Sequence, residues 1–92
     1  MELIVIDVSE LVPPEPMVEI LKALSKLEPS QCLKVIHSRE PFPLYKKLSE
    51  SNWCYFVQSL SEKRADFKRF NIFVYKRAQS DYFESLFTSV PL

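Results

Sequence analysis

The chain opens with a short apolar run, Leu3-Ile-Val-Ile6, closed by Asp7, and this predicts a strand over residues 2–8. Ser9 to Pro14 reads as a loop. Pro14 and Pro16 keep the backbone extended until a helix begins near Pro16, where proline is favoured in a first turn. Met17, Ile20, Leu21, Leu24 and Leu27 then recur at helical spacing, with Glu19, Lys22 and Lys26 opposite them, and Pro29-Ser30 ends the element. Residues 32–37 predict a second strand in which Leu33, Val35 and His37 share one face. Pro43 starts a second helix with Leu44, Tyr45 and Leu48 as its buried stripe and Lys46, Lys47 and Glu50 outside. Ser51-Asn52 ends that helix, asparagine standing in for the usual glycine. A strand over Trp53 to Leu60, a polar turn over Ser61 to Phe67 and a strand over Lys68 to Arg77 complete the order βαβαββ.

General topology rules turn that order into a fold. Both βαβ crossovers are expected to be right-handed, which puts the two helices on one sheet face, and the last two strands form a hairpin. The prediction is a two-layer α/β (α+β) sandwich. Its other face would carry Ile4, Ile6, Ile36, Phe56, Phe73 and Tyr75, an apolar surface that needs a cover. The C-terminal segment Ser80-Asp-Tyr-Phe-Glu-Ser-Leu-Phe87 is amphipathic, so either this tail or a second copy of the chain is expected there.

Composition narrows the classes of function. Ninety-two residues make one domain near the lower size limit for a self-sufficient core. Twelve basic and twelve acidic residues cancel, which argues against a DNA or general RNA binder. The local basic run Lys63-Arg64 and Lys68-Arg69 is interrupted by Asp66 and reads as a solvated hairpin tip. The first apolar run is too short for a signal peptide or a membrane span, and two cysteines without such a signal point to the cytoplasm. Glycine is absent, so tight turns must use other residues, with Asn52 and Asn71 as the candidates for left-handed backbone.

Candidate chemistry concentrates at two strand-to-helix junctions. Pro13-Pro14-Glu15-Pro16 precedes the first helix, and His37-Ser-Arg39-Glu40-Pro41 precedes the second. In consecutive βαβ units these junctions lie along one sheet edge, beneath two helix N-termini that favour anions. Arg39 suits a carboxylate, phosphate or oxyanion, and His37 can exchange a proton near neutral pH. Equally, His37 can serve its loop by a hydrogen bond, and Arg39 and Glu40 can pair with Glu15 or with each other. No nucleophile adjoins the histidine, and a single histidine makes a poor metal site, so neither catalytic residues nor a metal or cofactor is assigned. Cys32 and Cys54 fall at strand starts on the opposite edge, their backbones roughly 10 Å apart with a strand between, beyond disulfide reach. They read as apolar filler. Trp53, Tyr55, Phe67 and Phe70 read as core or hairpin packing.

Taken together, Asp7-Val8, Leu11, Pro13-Pro14-Glu15-Pro16, Ile20-Leu21, Ala23-Leu24, His37, Arg39-Glu40-Pro41, Pro43-Leu44-Tyr45 and Leu48 resemble a bacterial domain family of unknown function. That family is related to the TusA/SirA-like sulfur-carrier superfamily. The resemblance spans about residues 2–77. It implies a mixed four-stranded sheet in order 1-2-4-3 within a domain over residues 1–78, and the remaining tail over 79–92 is expected, from its amphipathic pattern, to form a short helix. The superfamily's sulfur-carrying cysteine stands directly before the Pro-x-Pro of the first helix, and here that position is Pro13. Proline cannot carry a persulfide. Glu10 and Asn52 occupy positions where the superfamily has glycine.

The resemblance therefore implies a cysteine-less relative acting as a non-catalytic binding or adaptor module. Its edge residues Pro13, Pro14, Glu15, Pro16, His37, Arg39, Glu40 and Pro41 would recognise a partner protein or a small anion, with a redox-related partner suggested by the company such domains keep. The alternatives are a sulfur-handling protein using Cys32 or Cys54 as a relocated thiol, and an RNA-associated protein. No membrane partner is expected, and the chain would be a monomer or a homodimer through the open sheet face.

Overall fold

The computed structural model describes residues 2–61 and 68–89. Its elements are β1 (Glu2–Asp7), α1 (Glu15–Ser25), β2 (Gln31–His37), α2 (Phe42–Glu50), β3 (Trp53–Ser61), β4 (Lys68–Lys76), a short 3-10 turn (Arg77–Gln79) and α3 (Ser80–Ser89). The polar turn expected before β4, with Lys63, Arg64 and Phe67, lies outside the described residues.

The sheet runs in order β1-β2-β4-β3, with β1 and β2 parallel and β4 antiparallel to both its neighbours. This is the mixed α+β sheet expected from the sequence. Apolar residues from the sheet and two helices make one core: Leu33 and Val35 from β2, Ile72 and Val74 from β4, Val8 just beyond β1, Ile20 and Leu24 from α1, Leu44 and Leu48 from α2, with Ile4 and Ile6 of β1 and Trp53, Tyr55 and Val57 of β3 packed against them. Because burial of each large aliphatic side chain contributes about 1.5–3 kcal/mol, this two-layer seam is the main source of stability. Leu27 seals its lower end just beyond α1. Leu21, expected in the buried stripe of α1, is exposed instead. Pro16, Ile20 and Leu24 define the buried line, and Leu21 lies about 100° around the helix from Ile20.

Two further expectations are corrected by the register. Ile4 lies beside Leu33 and Ile6 beside Val35, so both isoleucines face the helices and pack on the main core. Leu3 and Val5 take the opposite face. Residues paired across a sheet point the same way, and β1 is apolar on both faces, so alternation could not choose between them. Asn71 is in mid-strand, opposite Ile36 and Gln58, not in a turn. Asn52 does adopt left-handed backbone, with φ 63°, between α2 and β3.

The second sheet face is covered at one end. The tail forms α3, whose Phe83 is fully buried against Cys32 and Tyr75, with Cys54 and Phe73 at the margin. The Tyr75 and Phe83 rings lie 5.1 Å apart. This end is the one farthest from the β1–α1 and β2–α2 loops, since Cys32 and Cys54 stand near the starts of their strands.

Candidate functional site

Parallel pairing brings the C-terminal ends of β1 and β2 together, and four bonds lock the loops that follow. The Val8 amide donates to Ile36 O at 2.9 Å, and the Ser38 hydroxyl reaches across to Ser9 O at 3.0 Å. Asp7 Oδ1 accepts from both the Ser9 amide (2.9 Å) and the Ser9 hydroxyl (2.6 Å), a turn that fixes the first loop as it leaves the strand. Those bonds, the hydroxyl first, hold the Asp7 carboxyl below its ordinary range.

Both helices start on proline instead of on a side-chain cap. Pro14 is the N-cap of α1 and Pro41 that of α2, neither with a capping hydrogen bond, and each helix has a further proline in its first turn. The Pro13–Pro14 peptide is cis. Local backbone bonds take up first-turn donors: Glu15 to Val12 O and Val18 to Pro14 O in α1, and Phe42 to Glu40 O, Leu44 and Tyr45 to Pro41 O in α2. Pro16 and Pro43 have no N–H to give. A helix N-terminus attracts anions through free amides, and here most are used or absent.

Between the loops lies a groove of about 190 Å³ bounded by Pro13, Pro14, Pro16, Pro41 and Pro43, with Met17 and Ile20 at its base and His37, Arg39 and Glu40 beside them. Seven of the eight residues singled out in the sequence meet there. Glu15 does not. It lines a separate groove of about 790 Å³ along the outer flank of α1, because Pro16 turns towards the core and carries its neighbour round to the β1 side.

His37 is 8% exposed. Its Nδ1 accepts the Arg39 amide at 3.1 Å, so the neutral ring carries its proton on Nε2. Burial first, and the Arg39 guanidinium second, hold its pKa below the ordinary 6.5. Tyr45 donates its hydroxyl to Glu40 Oε2 at 3.3 Å and stacks on Tyr55 with centroids 4.6 Å apart. Burial and then the Glu40 charge push the Tyr45 phenol well above its usual pKa. Glu40 is thereby held by Tyr45, and among the described residues Arg39 forms no ion pair with Glu40 or Glu15.

The sequence reading missed the rim. Val12 and Phe42, at 69% and 65% exposed, are the most exposed large hydrophobic residues described, and each adjoins a proline of the groove. Their signal was an apolar residue beside a proline that no helical or strand period accounts for. Phe42 also meets Tyr45 edge to face at 5.9 Å, which continues the Tyr45–Tyr55 stack to the surface.

The cysteines occupy the other end. Both are free thiols, Cys32 buried and Cys54 half-buried. They flank Tyr75 in the register, each beside it on a different neighbouring strand. Burial pushes the Cys32 thiol up to about 11, which suppresses the thiolate that sulfur transfer requires. Among the described residues no three His, Cys, Asp or Glu side chains converge as a metal site needs, and no helix is long and apolar enough to cross a membrane.

Fold and site together define a small α+β domain with a proline-walled groove where β1 and β2 end. The chain belongs to the family of uncharacterized conserved proteins DUF2249, whose model matches residues 5–76. That match takes in both loops and leaves α3 outside. Comparison with curated proteins gives no match, and comparison with solved structures gives none either.

Proposed function

We propose that this protein is a non-catalytic binding module of the TusA/SirA-like type that recognises a partner protein through the groove between the Pro13–Pro16 and His37–Pro41 loops. The observation that carries this reading is the union of both loops in one groove flanked by exposed Val12 and Phe42. Five prolines wall it. Proline surfaces are apolar and already rigid, so a partner can bury area against them with little ordering cost. Arg39 supplies a charge for a partner's carboxylate, and His37 shapes the loop through its bond to the Arg39 amide. The Pro13 position bears no thiol, and Cys32 lies buried at the far end with its pKa raised, both of which favour recognition over sulfur transfer. A redox-related partner fits the sulfur-carrier resemblance.

A second reading, a small-anion site, draws on the same unpaired Arg39. The use or loss of most first-turn amides argues for the protein partner. Photo-crosslinking in cells separates the two. A photoreactive phenylalanine analogue at Phe42 should give a discrete protein adduct that Arg39→Ala abolishes, while the same group at exposed Tyr82 on α3 should not. Equal adducts from Phe42 and Tyr82 would reject the groove. Saturable amide shifts at residues 7–16 and 37–45 with phosphate, sulfite, nitrite or thiosulfate alone would replace the protein partner by an anion.

A further inference from the structure

The outer edge of β1 and the adjoining flank of α1 have no role in the proline groove. β1 is an edge strand that pairs with β2 alone. The amides of Glu2 and Val8 reach Ser30 O and Ile36 O on the β2 side, so the even residues face β2. Leu3, Val5 and Asp7 therefore turn their backbone N–H and C=O groups outward. Natural edge strands are guarded by charged side chains, proline or a bulge, and the central residues Leu3 to Ile6 of β1 have none of these, the only charges being Glu2 and Asp7 at the two ends. Beside it runs the groove of about 790 Å³, whose α1 wall is Glu15, Val18, Glu19, Lys22, Ala23 and Lys26.

That wall is self-complementary. The two acids stand in the first half of the helix and the two lysines in the second, at equal distances from a point between Ile20 and Leu21. Set antiparallel against its own copy, the face puts Glu15 opposite Lys26, Glu19 opposite Lys22, and Val18 opposite Ala23. Glu19 and Lys22 already lie 3.7 Å apart within one helix, yet both stay largely exposed and open to a second contact. On the strand, antiparallel pairing centred on Val5 uses all three outward residues, Val5 with Val5 and Leu3 with Asp7, and sets no acid against an acid. α2 has no acid in its first turn, so it offers no matching pattern.

We propose that this surface is an interface with a second copy of the same chain, joined about a twofold axis so that two four-stranded sheets become one and the two α1 helices pack antiparallel. The charge pattern identifies the occupant, because a copy of α1 supplies each acid with a base at the matching height.

The test is the mass of the full chain in solution by sedimentation equilibrium, with far-UV circular dichroism confirming the fold of each variant. Wild type is expected at twice the 10.8 kDa chain mass. Glu15→Lys/Glu19→Lys makes the face wholly basic and Lys22→Glu/Lys26→Glu makes it wholly acidic. Each alone should dissociate at concentrations roughly tenfold or more above wild type, since like charges then oppose each other. An equimolar mixture of the two variants should recover the doubled mass as a heterodimer, which neither misfolded chains nor an unrelated interface would produce. A monomeric wild type at high concentration overturns the proposal. So does a dimer that both charge variants leave intact, which would place the contact elsewhere.

Discussion

The two ends of the sheet carry opposite chemistry. At one end, β1 and β2 deliver their loops into an open, proline-walled groove with Arg39 unpaired and two apolar side chains exposed beside it. At the other, Cys32 and Tyr75 are buried under Phe83 of α3 with half-buried Cys54 at the margin, and burial pushes the Cys32 thiol up to about 11 and the Tyr75 phenol to about 12. Sulfur transfer by a thiol requires its thiolate. The open end is walled by proline, and at the closed end burial suppresses the thiolate of Cys32.

The sharpest way to break this contrast is to unseal the closed end. Phe83→Ala removes a fully buried ring and should cost about 3 kcal/mol, read by urea denaturation. It should also speed labelling of Cys32 by a thiol reagent at least roughly tenfold, as the thiol regains water and its pKa falls. Unchanged stability and labelling would mean that α3 does not seal this end.

At the open end, Tyr45→Phe deletes the hydroxyl held by Glu40 and keeps the stack on Tyr55. The expected loss is about 1 kcal/mol in the same denaturation experiment, with Glu40 set free near Arg39. A smaller effect appears only with pH. His37 has its pKa depressed in the folded chain, so the unfolded chain takes up the proton first as pH falls. Its contribution to stability is therefore full above pH 6.5 and declines as pH drops through the lower folded value. His37→Asn keeps an acceptor near the Arg39 amide without the titration, and should flatten stability across that window. Arg39→Ala should change stability least, within about 0.5 kcal/mol, because the side chain is exposed and unpaired. A large loss in that variant would make Arg39 a structural residue.

Much of this was legible in one dimension. The helical spacing of Ile20 and Leu24, the run Leu33-x-Val35-x-His37 and the pair of proline junctions were enough to bring both loops to one edge. What escaped notice depended on three-dimensional orientation. β1 is apolar on both faces, so only its register with Leu33 and Val35 shows that Ile4 and Ile6 face the core. Glu15 leaves the proline groove because of the roll of α1, set by which of Pro16, Ile20 and Leu24 are buried. The consumption of first-turn amides follows from backbone bonds to Val12, Pro14, Glu40 and Pro41, and these depend on loop geometry more than on residue type.

The most direct measurement follows the protein adduct from a photoreactive group at Phe42 in three backgrounds: wild type, Arg39→Ala, and Cys32→Ala/Cys54→Ala. If the open end recognises and the closed end only packs, the adduct forms in the wild type and the double cysteine variant and disappears in Arg39→Ala. An adduct that survives Arg39→Ala and vanishes with the cysteines would contradict the account, because recognition would then depend on the thiols.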